Sequence, residues 1–164
     1  MTIQSKASAR YRVLADFRYE IRKFLTFSEN AARQAGLEPQ QHQALLAIKG
    51  LPRHNVATIS VLAERLQIVH HSAVELVNRL ETRKLIRRSR SVPDRRAVVL
   101  NITPGGRKLL RAVTLPHVAE LKKEGKKLLQ ALNSVLNNKE VTYSRKYKIR
   151  GTASAAERKG RARG

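Results

Sequence analysis

Apolar residues recur at helical spacing in five stretches of this chain and at strand spacing in one. From Tyr11 they fall at Leu14, Phe17, Ile21, Phe24, Leu25, Ala31, Ala32 and Ala35, which predicts a long helix with one apolar side. Arg18, Arg22, Lys23 and Arg33 occupy its opposite face, and Gly36 follows as the residue that ends it. A second helix opens at Pro39, suited to a first helical turn, and carries Ala44, Leu45 and Ile48. Gly50-Leu51-Pro52 breaks it. A short third helix holds Leu62, Ala63 and Leu66, with Thr58 or Ser60 as its cap. A fourth runs from His71 to Leu85, its apolar side made by Val74, Val77, Leu80 and Leu85. The fifth, from Arg107, extends through Leu110, Val113, Leu121, Leu128, Leu132 and Leu136, with Pro116 expected to kink or interrupt it.

The third and fourth helices are separated only by residues 67–70, a connection as short as that of a helix-turn-helix. Residues 87–103 then read as a β-hairpin. Its first arm is basic, Pro93-Asp94 marks the turn, and Ala97-Val98-Val99-Leu100-Asn101-Ile102 is β-branched and apolar. Helix-turn-helix followed by hairpin is a winged helix. The fold class expected is mainly α with a small β-hairpin wing.

Composition changes this picture in one respect. The chain has 34 Lys and Arg against 12 Asp and Glu, a net charge of +22, which predicts affinity for a polyanion. Aromatic residues are 4% of the chain with no Trp, so the core is expected to be aliphatic. Without cysteine there are no disulfides or thiolate metal sites. No apolar run resembles a secretory signal or reaches the ~20 residues of a membrane helix, so a cytoplasmic protein with no membrane association is expected. The five histidines form no HExxH or related ligand pattern, and Gly105-Gly106-Arg107-Lys108 lacks phosphate-loop spacing. No catalytic triad or carboxylate pair is visible. The expectation is therefore a non-enzyme without metal or cofactor.

LAERL, HHSAVELVNRLE, LIRR, DRRAVVLNIT and PGGRKLL, in that order and spacing, resemble the winged-helix core of the multiple-antibiotic-resistance regulator (MarR) family. The resemblance extends loosely from Tyr11 to Leu136. It implies a winged helix-turn-helix core flanked by long N- and C-terminal dimerisation helices. On that basis the chain divides into a flexible leader (1–10), an N-terminal dimerisation helix (11–36), a DNA-binding core (37–103), a C-terminal dimerisation helix (104–138) and a basic, disordered tail (139–164). The tail holds nine Lys and Arg with little apolar periodicity.

The fourth helix is then the recognition helix. His70, His71, Ser72, Asn78 and Arg79 are the candidates for contact with double-stranded DNA. Ser72 serves either a base or the helix start as an N-cap, and Asn78 and Arg79 meet either bases or phosphates. Glu75 is expected to pair with Arg79 four residues on. On the wing, Arg88, Arg90, Arg95 and Arg96 are candidates for phosphate or minor-groove contact. Asp94 and Arg96 match the family's Asp-x-Arg pattern, in which the acid steadies the wing and an arginine enters the groove. Lys84 stands where the family usually has glycine, and would carry strain if that position needs a positive φ. Thr103-Pro104 resembles the family's helix entry, while Gly105 and Gly106 are expected to loosen the first turn. The resemblance also implies an effector space between dimerisation helices and core, which Phe17, Ile21, His42 and Leu45 would line; each is otherwise plain core.

Two functions follow. The first is a homodimeric, ligand-responsive repressor reading a palindromic operator, with half-sites about one turn (~34 Å) apart. The second is a non-specific architectural DNA-binding protein driven by charge.

Overall fold

The computed structural model describes residues 3–52, 54–90 and 98–137 and has the order α1 (Ile3–Gln34), α2 (Pro39–Lys49), α3 (Ile59–Leu66), α4 (His70–Thr82), β1 (Ile86–Arg90), β2 (Val98–Ile102) and α5 (Pro104–Asn137). The expected wing tip with Asp94, Arg95 and Arg96, and the expected tail from 139, lie outside the described residues.

Helix α1 starts at Ile3, ahead of the Tyr11 expected, so residues 3–10 continue the helix where a leader was anticipated. Gln4, Lys6, Ala7, Ala9 and Arg10 are good helix formers, and no Gly or Pro intervenes. Extending an existing helix needs no new nucleus. Its other end is as anticipated. Gly36 has φ +79°, its N–H donates to the Arg33 carbonyl at 2.9 Å, and Leu37 N–H reaches back to Ala32 at 2.9 Å. This Schellman turn leaves Leu37 buried in the core.

The same turn recurs twice without glycine. After α3, Gln67 has φ +53°, with Ile68 N–H on the Ala63 carbonyl. After α4, Lys84 has φ +55°, with Lys84 N–H on Glu81 at 2.8 Å and Leu85 N–H on Leu80 at 2.9 Å. The positive φ expected at Lys84 is thus present, with its steric cost.

Thr58 caps α3, its Oγ1 accepting the Val61 N–H at 3.3 Å. The fourth helix buries Ala73, Leu76, Val77 and Leu80, a stripe displaced from the expected one: Val74 is half-buried, and Leu85 belongs to the turn. β1 and β2 pair antiparallel in the register Ile86 to Ile102, Arg88 to Leu100 and Arg90 to Val98. Leu100 N–H also donates to Ala57 at 2.7 Å, tying the hairpin to the segment before α3.

Thr103 Oγ1 accepts the Gly106 N–H at 3.1 Å as the N-cap of α5, while its hydroxyl donates to the Lys84 carbonyl at 2.7 Å. Gly106 does not loosen this turn. A Cβ there would stand 2.2 Å from the Leu85 carbonyl oxygen, so glycine lets α5 sit directly on the α4–β1 turn. Nor does Pro116 end the helix, which runs continuously through it. The proline removes one backbone donor, but nearby carbonyls gain side-chain donors: Thr114 hydroxyl on Leu110 at 2.8 Å and His117 Nδ1 on Val113 at 2.7 Å.

The core is aliphatic, centred on Leu37, Leu45, Leu62, Leu76, Leu80, Ile86, Leu100 and Val113. It lies where α2, α3, α4 and the hairpin meet the inner ends of α1 and α5. Beyond it α1 and α5 continue side by side: Ser28 meets His117, and Glu20 and Phe24 share a small cavity with Leu121, Glu124 and Leu128. Falling numbers on α1 meet rising numbers on α5, so the two are antiparallel.

Candidate nucleic-acid interface

Helix α4 buries one side in the core and leaves His70, His71, Glu75, Asn78 and Arg79 exposed on the other. These are the side chains that the helical period turns outward once Ala73, Leu76, Val77 and Leu80 turn inward. The helix starts at Val69, whose side chain offers no cap. Ser72 is therefore not the N-cap. It occupies the third helical position, half-buried. Glu75 reaches back to His71, with Nε2 to Oε1 at 3.2 Å, in place of the expected pairing with Arg79. Arg79 makes no ion pair among the described residues, and its guanidinium is presented to solvent.

The wing arginines divide by strand register. Alternate residues of β1 point to opposite faces, so Arg88 turns toward α4 and Arg87 away from it. Arg88 is held by three hydrogen bonds. Its Nη1 donates to Glu81 Oε2 at 2.6 Å, its Nη2 to Asn78 Oδ1 at 2.6 Å, and its backbone N–H to Glu81 Oε1 at 3.2 Å. Arg88 and Asn78, both expected to meet DNA, thus spend part of their hydrogen-bonding capacity on each other. They join the root of the wing to the recognition helix. Arg90 ends β1 exposed.

Arg83 is also occupied. Its Nη2 donates to the Gly36 carbonyl at 2.7 Å and its Nη1 to Gln41 Oε1, clamping the end of α4 to the α1–α2 turn. Gln41 Oε1 in turn accepts the Glu38 N–H at the start of α2. One arginine thereby ties the recognition helix to the element that joins it to the long helices.

Of the four residues named for an effector space, Leu45 is sealed in the core, His42 is buried against His117, and Phe17 and Ile21 lie half-buried farther along α1. At the junction of α1, α2 and α5 stands an aromatic cluster. The His42 and His117 rings are 4.9 Å apart, and Phe24 and Phe27 meet His117 edge-on. A carbonyl can only accept, so His117 Nδ1 carries the proton toward Val113, and its Nε2 lies 2.6 Å from Ser28 Oγ. Burial, and secondarily the charge His117 can carry, hold His42 below the ordinary histidine range. Sequence reasoning gave His117 no role. Its sign was present, because it continues the apolar stripe Leu110, Val113 and Leu121 of α5.

Among the described residues no group of three His, Asp or Glu side chains could hold a metal ion, and no helix is long and apolar enough to cross a membrane.

The family profile described as MarR family matches residues 35–97. No curated protein matches the chain in sequence. Among solved structures, a variant of Staphylococcus aureus MepR bound to an oligodeoxyribonucleotide is similar, with a TM-score of 0.56 and 21% identity over 73% of this chain and 92% of that one. AbsC, a MarR family transcriptional regulator from Streptomyces coelicolor, gives a TM-score of 0.62 at 20% identity, covering 84% and 92%. CouR from Rhodococcus jostii RHA1 bound to p-coumaroyl-CoA gives 0.57 at 20%, covering 74% and 86%. The winged helix with its mainly helical flanks is therefore the fold of known transcription regulators.

Proposed function

We propose, from the match of residues 35–97 to the MarR family profile, that the chain is a homodimeric, sequence-specific double-stranded-DNA-binding regulator that represses from a palindromic operator and responds to a small-molecule effector. One observation carries the DNA reading: the exposed face of α4 is held in fixed relation to the wing by the Arg88 bonds to Glu81 and Asn78. A recognition helix needs a set angle to its wing if one is to enter the major groove while the other grips the backbone. His70, His71 and Arg79 supply groups for bases and phosphates at the groove, and the amide nitrogen of Asn78 supplies another. Ser72, half-buried at the third helical position and not the N-cap, is left as a candidate for base contact. Arg90 extends the basic surface along the wing, and Arg95 and Arg96 are the groove-entering residues, steadied by Asp94.

The homodimer is supported by the long helices. Tyr11, Leu115, Leu129 and Leu136 expose 75%, 62%, 57% and 70% of their surface, more apolar surface than one copy of such a protein usually leaves to water. A second copy would cover it. Ligand response is supported only by the fold and by CouR, which binds p-coumaroyl-CoA.

Selection from random DNA duplexes, with binding titrated at two salt concentrations and the mass measured in the same buffer, tests this reading. Enrichment of a palindrome by a dimer is expected. Tight, steeply salt-dependent binding with no enriched site would replace it with the charge-driven architectural role, which the +22 charge favours.

A further inference from the structure

Behind the wing lies an open cleft of about 500 Å³, bounded by the end of α2, residues 51, 52 and 55–57, the outer face of the hairpin and the first turn of α5. That is the size of a small-molecule site. Its lining combines two chemistries. Leu51, Val99 and Ile102 contribute apolar surface, whereas Lys49, Arg87 and Arg107 bring three cations, with no Asp or Glu among the lining residues.

Lys23, Arg33, Arg88 and Lys127 are each paired with a carboxylate, whereas other described cations, Arg79 among them, make no such pair. Lys49 and Arg87 make no ion pair among the described residues, and Arg107 is steadied by donating Nη1 to the Ile102 carbonyl at 2.7 Å. Strand alternation is what puts Arg87 on this side, away from the carboxylate that holds Arg88. Three positive groups around one open concavity repel one another until an anion enters. The apolar part of the lining rewards an anion with a hydrophobic body.

We propose that this cleft binds a small amphipathic organic anion, its carboxylate or phosphate between Lys49, Arg87 and Arg107 and its apolar body against Leu51, Val99 and Ile102. The site shares no residue with the His42–His117 junction. Its occupant would bridge α2 to β1 one residue from Arg88, and so bear on the wing angle. The inference does not rest on the DNA-binding reading.

The test is titration of the ¹⁵N-labelled full chain with naphthalene-2-carboxylate, followed by amide shifts. Saturable shifts are expected at Ala57, Val99, Asn101 and Arg107. The neutral methyl ester of the probe should bind at least tenfold more weakly to the wild-type chain. The pair Lys49→Gln with Arg87→Gln should weaken the probe at least tenfold, whereas Arg12→Gln with Arg22→Gln, removing the same charge from the long helices, should leave it within twofold. Equal weakening by both pairs, shifts confined to α1 and α5, or equal binding of the ester would overturn the proposal. Absence of saturation would overturn it as well, and lost duplex-DNA affinity in the Lys49 and Arg87 pair would then make the cleft a phosphate contact.

Discussion

The winged-helix head and the paired long helices are built from similar amphipathic helices, yet they treat the same residue type differently. Leu45, Leu76 and Leu80 in the head are closed from solvent, while Leu115, Leu129 and Leu136 on α5 stand more than half exposed. The head has four elements meeting at angles, so each helix finds a partner for its apolar side. Farther out, α1 and α5 have only each other, and two cylinders in contact cover one stripe apiece. The head is thus a finished folding unit, and the long pair resembles one half of an interface.

The largest effect expected from this contrast is in the head. Leu76→Ala should lower unfolding free energy by about 2–5 kcal/mol, through lost burial and a cavity that close neighbours cannot fill. Chemical denaturation would measure it; a loss below about 1 kcal/mol would mean that the head core is loosely packed. On the long pair, Leu115→Asp with Leu129→Asp should leave the head folded but weaken self-association by at least a hundredfold, since ~1.5 kcal/mol for each of only two buried leucines already amounts to about 3 kcal/mol. Sedimentation over a dilution series is the check, and an unchanged dimer would move the interface elsewhere.

The junction between the two regions predicts a pH dependence. The folded His42 binds its proton less readily than the unfolded one, whose pKa is about 6.5. Its contribution is therefore complete above that value and is lost as pH falls from about 6.5 toward the lower folded pKa. His117 is the ionisable group facing it. Thermal melts between pH 7.5 and 5 should show acid destabilisation that His42→Gln flattens; parallel curves would show that His42 titrates normally. At the wing root, Glu81→Gln should cost only about 1 kcal/mol of stability, because the pair with Arg88 is partly solvated. It should nevertheless lower operator affinity by about tenfold or more, and a loss of stability with unaltered affinity would separate the bond from recognition. The smallest effect belongs to Lys84→Gly. Relief of the positive φ, offset by the freer unfolded chain, should raise stability by up to ~1 kcal/mol, visible as a few degrees in Tm.

Much of the head was legible in the chain because its signals are local. Thr58 before Ile59, Gly36 after Gln34, and Thr103-Pro104 before α5 each act within four residues of themselves, and each sits where the spacing predicted. Gln67 carries no such sign, since its side chain does not favour the left-handed backbone that its turn imposes, and Lys84 was marked only by standing where the resembling family has glycine. Gly106 misled for the opposite reason. Its poor helix propensity is visible locally, but its purpose, room for the Leu85 carbonyl, comes from the preceding turn of the fold.

The candidate interface was legible as a face and not as a set of roles. Residue spacing suffices to put His71, Asn78 and Arg79 on one side of a helix, because helical geometry repeats every few residues. It cannot distinguish Arg83, which clamps Gly36 from 47 positions away, from Arg88, locked to Glu81, or from Arg87, turned to the opposite face of the hairpin. All three carry the same guanidinium group along the chain as Arg79. Which cation is spent on the protein and which is left for a partner depends on the carbonyls and carboxylates that packing brings within 3 Å. Periodicity and capping arise from neighbours along the backbone and are written in the chain; charge pairing across the fold arises only once distant segments have come together.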